Sequence, residues 1–321
     1  MLTALPIIDY ATHPDYAGLT VDPKNAERAA EEFFPILRSK RESLALCADG
    51  FDRRPRAASE SVLGALARDG VAALALPRPI LNRLREAAAP HAAALKQRAK
   101  ALIAAKARIR FDDTLHPVLQ WDEAAPGCEV LAAAVRDLLR EIDFDGIAQR
   151  YYPGFRPTVA GAALKRNFAG HEIFRANGAH TTLTGGLHID SNSAPMMNGI
   201  VYLNEVGPEQ GPFSYVVGSH RWPFDVEDRA IRKAMDECAF GSQKGREFFA
   251  AIPAEYQRKC AFGWDILDGT PECDALISTE RVFTSQDCDL VLFDSDGVHR
   301  GGDVAKGKRL SILFNVAMRP I

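Results

Sequence analysis

The sequence predicts an α+β protein in which a mainly helical first half leads into a β-sandwich or barrel. Two changes of texture predict it. Up to about residue 152, apolar side chains recur at helical spacing among Glu, Arg and Lys; beyond it come short β-branched or aromatic runs separated by Gly, Pro, Asn and Asp. Helical spacing then returns between about 223 and 278, which marks a helical insertion between two strands. The 321 residues are therefore expected to form one domain, 1–321, with 1–152 as helical support and 153–321 as the β core.

Each element has a local reason. Asn25 to Leu46 is an amphipathic stretch with a break or kink expected at Pro35. Ser59 to Arg68 is a second helix, opened by Ser59 and ended by Gly70, and Val71 to Leu76 is a short strand closed by Pro77. Pro79 suits the first turn of the next helix, whereas Pro90 is expected to divide the Ala-rich stretch up to Ala107 into two pieces. Glu129 to Ile142 carries Val130, Leu131, Ala134, Val135 and Leu138 on one stripe. The expected strands are Thr158–Phe168, Thr184–Ile189, Asn198–Asn204, Phe213–Val217, Val282–Ser285, Asp289–Phe293 and Arg309–Met318. Asp225–Phe240, Lys244–Ala251 and Pro253–Cys260 read as helices of the insertion, either a lid over a site or passive packing.

Composition removes several function classes. Lys and Arg number 39 against 42 Asp and Glu, a net charge of −3, which excludes a nucleic-acid binder that works by bulk electrostatics. No apolar run reaches the roughly 20 residues of a membrane helix. The start MLTALPIIDY, broken by Pro6 and Asp9, has no basic region of a signal peptide. A cytoplasmic protein with a small-molecule substrate, and neither nucleic acid nor membrane as partner, is the expectation; nothing in the sequence bears on oligomeric state. The six cysteines are scattered without a C-x-x-C pair, as expected of reduced, mostly buried thiols.

The chemistry concentrates in two places. In Gly186-Leu187-His188-Ile189-Asp190, strand alternation puts His188 and Asp190 on one face roughly 6–7 Å apart, a spacing that lets imidazole and carboxylate converge on one metal ion. Far downstream, Gly297-Val298-His299-Arg300-Gly301-Gly302 places a second histidine at a strand end. Two His and one carboxylate on one face of a metal leave three positions open, the facial triad of non-haem Fe(II) oxygenases. Ten residues beyond His299, Arg309 opens a strand on which Ser311 shares its face. A guanidinium fork with a hydroxyl beside it suits a carboxylate, and a buried Arg near a metal calls for an anionic ligand, which 2-oxoglutarate would supply. Asp294 and Asp296 are rival carboxylates to which a turn role is assigned, and His91, His116, His171 and His180 have no partner at ligand spacing. Arg166, Arg175, Arg221 and Arg300 are candidate contacts for an anionic substrate, and Trp222 is a candidate border of the pocket.

Together these blocks resemble the phytanoyl-CoA dioxygenase-like branch of the Fe(II)/2-oxoglutarate oxygenases. His188-Ile189-Asp190, Gly211-Pro212-Phe213 leading to Gly218-Ser219-His220, then His299 and Arg309 carry the resemblance; Gly70 and the strand after it match the family's opening more lightly. It implies a double-stranded β-helix, a cupin-like jelly roll, with Fe(II) on His188, Asp190 and His299. It implies 2-oxoglutarate held by Arg309 and Ser311, O₂ as co-substrate, Tyr202 as an aromatic lining residue and Asn204 beside it on the same face. His220 is structural in such a family. The chain departs from the pattern at Gly301, where the family has Ser or Thr, and in a His299–Arg309 spacing one residue short. The implied activity is hydroxylation of an unactivated C–H bond, with 2-oxoglutarate going to succinate and CO₂. The retained Asp190 separates it from halogenases, which lack that carboxylate, and leaves desaturation or cyclisation open. Two other readings are a 2-oxoglutarate-independent iron oxygenase or epoxidase of the same fold, and a non-catalytic metal-binding sensor or scaffold.

Overall fold

Two antiparallel sheets face one another across an apolar layer, and helices cover the far side of the larger one. The computed structural model describes residues 22–52, 61–107, 111–120, 123–169, 187–190, 192, 194–221, 225–239, 250–257 and 271–321. In chain order these form α1 (Pro23–Asp52), α2 (Val62–Asp69), β1 (Val71–Leu74), α3 (Arg78–Ala104), β2 (Leu115–Gln120), β3 (Glu123–Ala124), α4 (Glu129–Glu141) and α5 (Phe144–Tyr151). There follow β4 (Phe155–Phe168), β5 (Met196–Tyr202), β6 (Phe213–Val216), α6 (Val226–Ala239), α7 (Ala254–Gln257), α8 (Pro271–Ile277), β7 (Glu280–Phe283), β8 (Leu290–Asp294), β9 (His299–Gly301) and β10 (Lys308–Pro320).

The large sheet runs β1-β8-β5-β10-β4-β2-β3 and the small one β7-β6-β9, the two walls of a jelly-roll core. Alternation along the long strands makes two different faces. Leu164, Val201, Leu292, Ile312 and Phe314 pack into the helical layer, where the Phe144 ring meets Phe314 edge-on at 5.8 Å. The opposite face gives Tyr202, Val291 and Phe293 to a second cluster with Phe213, Tyr215 and Phe283 of the small sheet. The register Arg309↔Asn167 and Ser311↔Lys165 on one side of β10, with Ser311↔Tyr202 and Asn315↔Asn198 on the other, lines these polar residues up on that inner face.

The structure departs from the sequence expectations in places with physical causes. Pro35 and Pro90 lie inside continuous helices α1 and α3 and break neither. Both are exposed, so water can take the carbonyl four residues back that each leaves without an N–H. The first half also gives strands to the sheet: β1 pairs with β8 at one edge, and β2 with β4 near the other. Strand β9 is a short edge piece paired with β6. Half of the expected strand Thr184–Ile189 lies outside the described residues; within them, His188 makes an isolated bridge to His299. Lys244–Ala251, His171, His180, Arg175 and Trp222 likewise lie wholly or mostly outside. Helix α2 begins at Val62 and is capped by Ser61, not Ser59, with the Ser61 hydroxyl accepting the Gly64 N–H at 3.1 Å, and it ends at Gly70 (φ +79°).

The described parts of the insertion pack on the helical flank. Arg41 on α1 pairs with Glu227 on α6, Lys40 meets Glu237 at 2.5 Å, and Tyr256 of α7 stacks edge-on with Phe33 and Phe34. Among the described residues, no helix is long and apolar enough to cross a membrane.

Candidate metal centre

His188, Asp190 and His299 converge at the rim of the inner face. Their ligand atoms all lie within 4.8 Å of one another, with both histidines buried and Asp190 partly open. The backbone brings them there: His188 and His299 exchange both N–H···O=C bonds, at 3.0 and 2.9 Å, and the Asp190 N–H donates to the Ser295 carbonyl at 3.1 Å. The imidazole centroids are 4.4 Å apart. The Nδ1–H of His299 donates to the Gly297 carbonyl at 2.9 Å, which leaves Nε2 with its lone pair 3.7 Å from Asp190 Oδ1. Asn198 on β5 donates to Asp190 Oδ2 at 2.8 Å and so fixes the carboxylate. Its own buried Oδ1 has no hydrogen-bond partner among the described residues, although Asn198 lines the cavity. Two imidazoles and one oriented carboxylate, with an acceptor left over beside them, fit a six-coordinate divalent ion such as Fe(II) that keeps open positions.

The loop before His299 is built to hold that geometry. Tyr215 of β6 donates to the Asp294 carbonyl at 2.9 Å, and its hydroxyl fills the space a Cβ at Gly297 would need, leaving 1.7 Å. Asp294 accepts from the Tyr151 hydroxyl and from the Asp296 N–H, both at 3.0 Å. Asp296 binds Arg229 and Lys233 of α6, the latter at 2.9 Å, and the same Lys233 ammonium donates to the Asp190 carbonyl at 2.9 Å. Both rival carboxylates are thus engaged in the turn and its clamp. His220 is buried against Gly70, and the neighbouring Ser219 hydroxyl accepts the Val298 N–H at 2.7 Å, so the Gly218-Ser219-His220 block braces the loop from behind.

The triad opens onto a cavity of about 390 Å³ lined on one side by Met196, Ile200, Phe213, Phe293 and Leu313 and floored by Lys165, Arg309, Ser311 and Asn315. Arg309 is buried and donates to two neutral oxygens, Gly302 O at 3.1 Å and Asn167 Oδ1 at 3.3 Å. Burial lowers its pKa, opposed by Tyr202 and Asp303. Lys165 lies beside it, and burial, reinforced by the Arg309 charge, pulls its ammonium down to about 7. Two cations in a dry floor suit an anionic group of a ligand.

The expected co-substrate residues part company. Arg309 and Ser311 line the floor, and Tyr202 lines it with its ring. The Tyr202 hydroxyl is committed elsewhere: it donates to Phe283 O and accepts the Phe213 N–H, both at 2.9 Å, which ties the two sheets together, and burial pushes it up to about 12. Asn204 is outside the cavity. Beyond the end of β5, its side chain extends the strand ladder by accepting the Leu310 N–H at 2.5 Å and donating to Lys308 O at 3.1 Å. Arg300 forms a two-pronged pair with Glu280 at 2.7 Å, and Arg221 donates to the Ala67 carbonyl, so both arginines serve the scaffold. Lys165, Asn198, Asn192 and Asn315 are polar pocket groups without a sequence signal. Strand parity is the reason in the first case: Arg166 pairs with Leu310 across the ladder and points to the other face, whereas Lys165, opposite Ser311, points in.

No protein-family model and no curated protein matches the sequence. Among solved structures, the non-heme alpha ketoglutarate dependent epimerase SnoN from nogalamycin biosynthesis is similar at 13% identity and a TM-score of 0.43, covering 80% of this chain and 79% of that one. The carbocyclase SnoK from the same biosynthesis is similar at 14% and 0.42, covering 81% and 83%. HygX from Streptomyces hygroscopicus with iron bound is similar at 14% and 0.41, covering 81% and 87%.

Proposed function

We propose that this chain is a non-haem Fe(II)/2-oxoglutarate-dependent oxygenase that hydroxylates an unactivated C–H bond of a small molecule. One observation carries the reading: a two-histidine, one-carboxylate cluster and a buried Arg309–Lys165 floor share a single cavity. His188, Asp190 and His299 would hold the iron. Fe(II), with 2-oxoglutarate and O₂, supplies the oxidising power through decarboxylation to succinate and CO₂. The protein's own contributions are positional. Asn198 and the Gly297 carbonyl orient two of the ligands, Arg309 with Ser311 and Lys165 receives the distal carboxylate, and the Met196, Ile200, Phe213, Phe293 and Leu313 wall keeps water from the reacting end. Within this class, the joint blocks from His188 to Arg309 favour the phytanoyl-CoA dioxygenase-like branch.

The test is succinate formation under air with Fe(II) and 2-oxoglutarate, read against a panel of candidate substrates, together with anaerobic Fe(II) titration. Stoichiometric iron binding with succinate release stimulated by a substrate is the expected result. Iron binding without any 2-oxoglutarate turnover would replace this reading with that of a 2-oxoglutarate-independent iron enzyme. No iron binding would leave a scaffold.

A further inference from the structure

A second cluster of metal-ligating side chains lies away from the cavity, on the helical flank. His91 projects from α3, His116 from β2, and Cys128 immediately precedes α4; none of the three lines the pocket. Their donor atoms all lie within 4.8 Å of one another. The imidazoles of His91 and His116 stack at a centroid separation of 4.6 Å with 26° between planes. His116 Nε2 is 3.1 Å from Cys128 Sγ.

We propose that His91, His116 and Cys128 form a separate metal site that takes Zn²⁺. Zinc bonds of about 2.3 Å to sulfur and 2.0–2.1 Å to nitrogen at tetrahedral angles require donor separations of roughly 3.4–3.6 Å. The His116–Cys128 contact needs to open by only a few tenths of an ångström to meet that. The donor set points to zinc over iron, because a thiolate with two imidazoles is a softer environment than the two imidazoles and carboxylate of the cavity. Cys128 is buried while both histidines are half-exposed, so the fourth position faces solvent and takes water. Protonation is compatible. Burial, with the nearby His91, lowers His116 and keeps its ring neutral, with a lone pair to give. Burial raises the Cys128 thiol, which donates to the Pro117 carbonyl at 3.3 Å; the metal must displace that proton, as zinc does on binding thiols. The site joins three elements that are distant in sequence, so an ion there would pin the β2 edge of the large sheet to α3 and α4 and stabilise the fold by mass action.

Cobalt(II) substitution tests this on the full chain carrying His188→Ala and His299→Ala, which removes the cavity site. The expected result is one Co²⁺ per chain, with a thiolate-to-cobalt charge-transfer band in the near ultraviolet and tetrahedral visible bands, both erased by added Zn²⁺. Cys128→Ser should abolish the charge-transfer band. His91→Gln, at a half-exposed helix position where folding is not at risk, should weaken binding by more than about 100-fold, beyond the usual cost of outer-shell changes. In the same His188→Ala, His299→Ala background, Zn²⁺ at about 100 times its Kd should raise Tm by about 5 °C or more, and this rise should vanish when His91→Gln is added. A charge-transfer band that survives Cys128→Ser, the absence of any such band at stoichiometric Co²⁺, or an affinity unchanged in a folded His91→Gln would each overturn the proposal.

Discussion

Asp190 is held at both ends, its carboxylate by Asn198 and its backbone carbonyl by Lys233, and this makes the proposed iron site sensitive to single atoms. His188→Ala, Asp190→Ala and His299→Ala should each weaken Fe(II) binding by more than about 100-fold in anaerobic titration, since each removes one of three protein ligands, while circular dichroism stays that of the parent. Arg309→Leu should leave iron affinity intact and raise the apparent constant for 2-oxoglutarate by about 100-fold, the equivalent of roughly 3 kcal/mol for a lost charge-assisted pair. Arg309→Lys should recover part of it, because an ammonium cannot form the fork. Lys165 adds a pH signature. Its folded pKa of about 7 lies below its ordinary 10.5, so between those values the unfolded chain holds a proton that the folded chain lacks, and stability without ligand rises with pH through that window. An anion on the floor favours the charged ammonium. Binding of 2-oxoglutarate should therefore take up a proton near pH 7 and weaken as pH rises above it. Calorimetry in buffers of different ionisation enthalpy reads that uptake, and Lys165→Met should remove it; equal heats in all buffers with the parent would deny Lys165 this part. His188, Asp190, His299 and Arg309 are legible in the sequence because their spacing is short or their chemistry unusual. Lys165 and Asn198 are not, since their inward orientation depends on the register of β4 and β5 against β10.

The insertion allows two readings, a lid over the site or passive packing, and its described helices α6 and α7 pack on the helical flank. Among the described residues, no cavity-lining residue comes from α6, α7 or α8, and α6 is bound to α1 and, through Arg229 and Lys233, to Asp296 behind the metal site. Lys233 and Asp296 are both buried, and a buried pair broken on one side costs about 3–5 kcal/mol. Asp296→Asn should lower stability by that order in urea unfolding. It should also loosen iron binding, because Lys233 loses the partner that holds it against the Asp190 carbonyl. A variant as stable as the parent would show that the clamp adds nothing. If α6 is a fixed buttress, hydrogen exchange over Val226–Ala239 should be slow and unaffected by substrate, whereas a lid predicts protection that appears only on binding. Periodicity could find α6 as a helix but not its partners: Arg229 and Lys233 carry no signal of their own, and Asp296 reads only as a turn carboxylate, until α6 packs against the loop before His299. The same limit explains Pro35 and Pro90, whose effect on a helix depends on which face meets water. It also explains β2, β3 and β9, which are short or irregular and exist as strands only through their ladders.

At the scale of the whole molecule, the boundary near residue 152 that composition suggests does not divide the sheets. β1 pairs from Val71 to Leu74 with the fully buried strand β8, and β2 pairs with β4, so the large sheet is closed at one edge and extended at the other by the first half of the chain. Gly70 adds a third link: its carbonyl accepts the Asp294 N–H, and its missing side chain leaves room for Tyr215 and His220, whose atoms would lie 2.5 Å from a Cβ there. The opening of the chain is thereby wired to the loop that presents His299. A single cooperative unit should result, since neither half can bury its apolar face without the other. Urea unfolding followed by far-ultraviolet and by near-ultraviolet circular dichroism should give coincident transitions, and both should shift together when Fe(II) is added. A fragment spanning 153–321 should fail to fold or to bind Fe(II) tightly, because β8 would expose its unpaired edge and Phe314 would lose Phe144. Two resolved transitions, or a folded fragment with parental iron affinity, would show instead that the helical half is a separable support and that the link through Gly70 is dispensable.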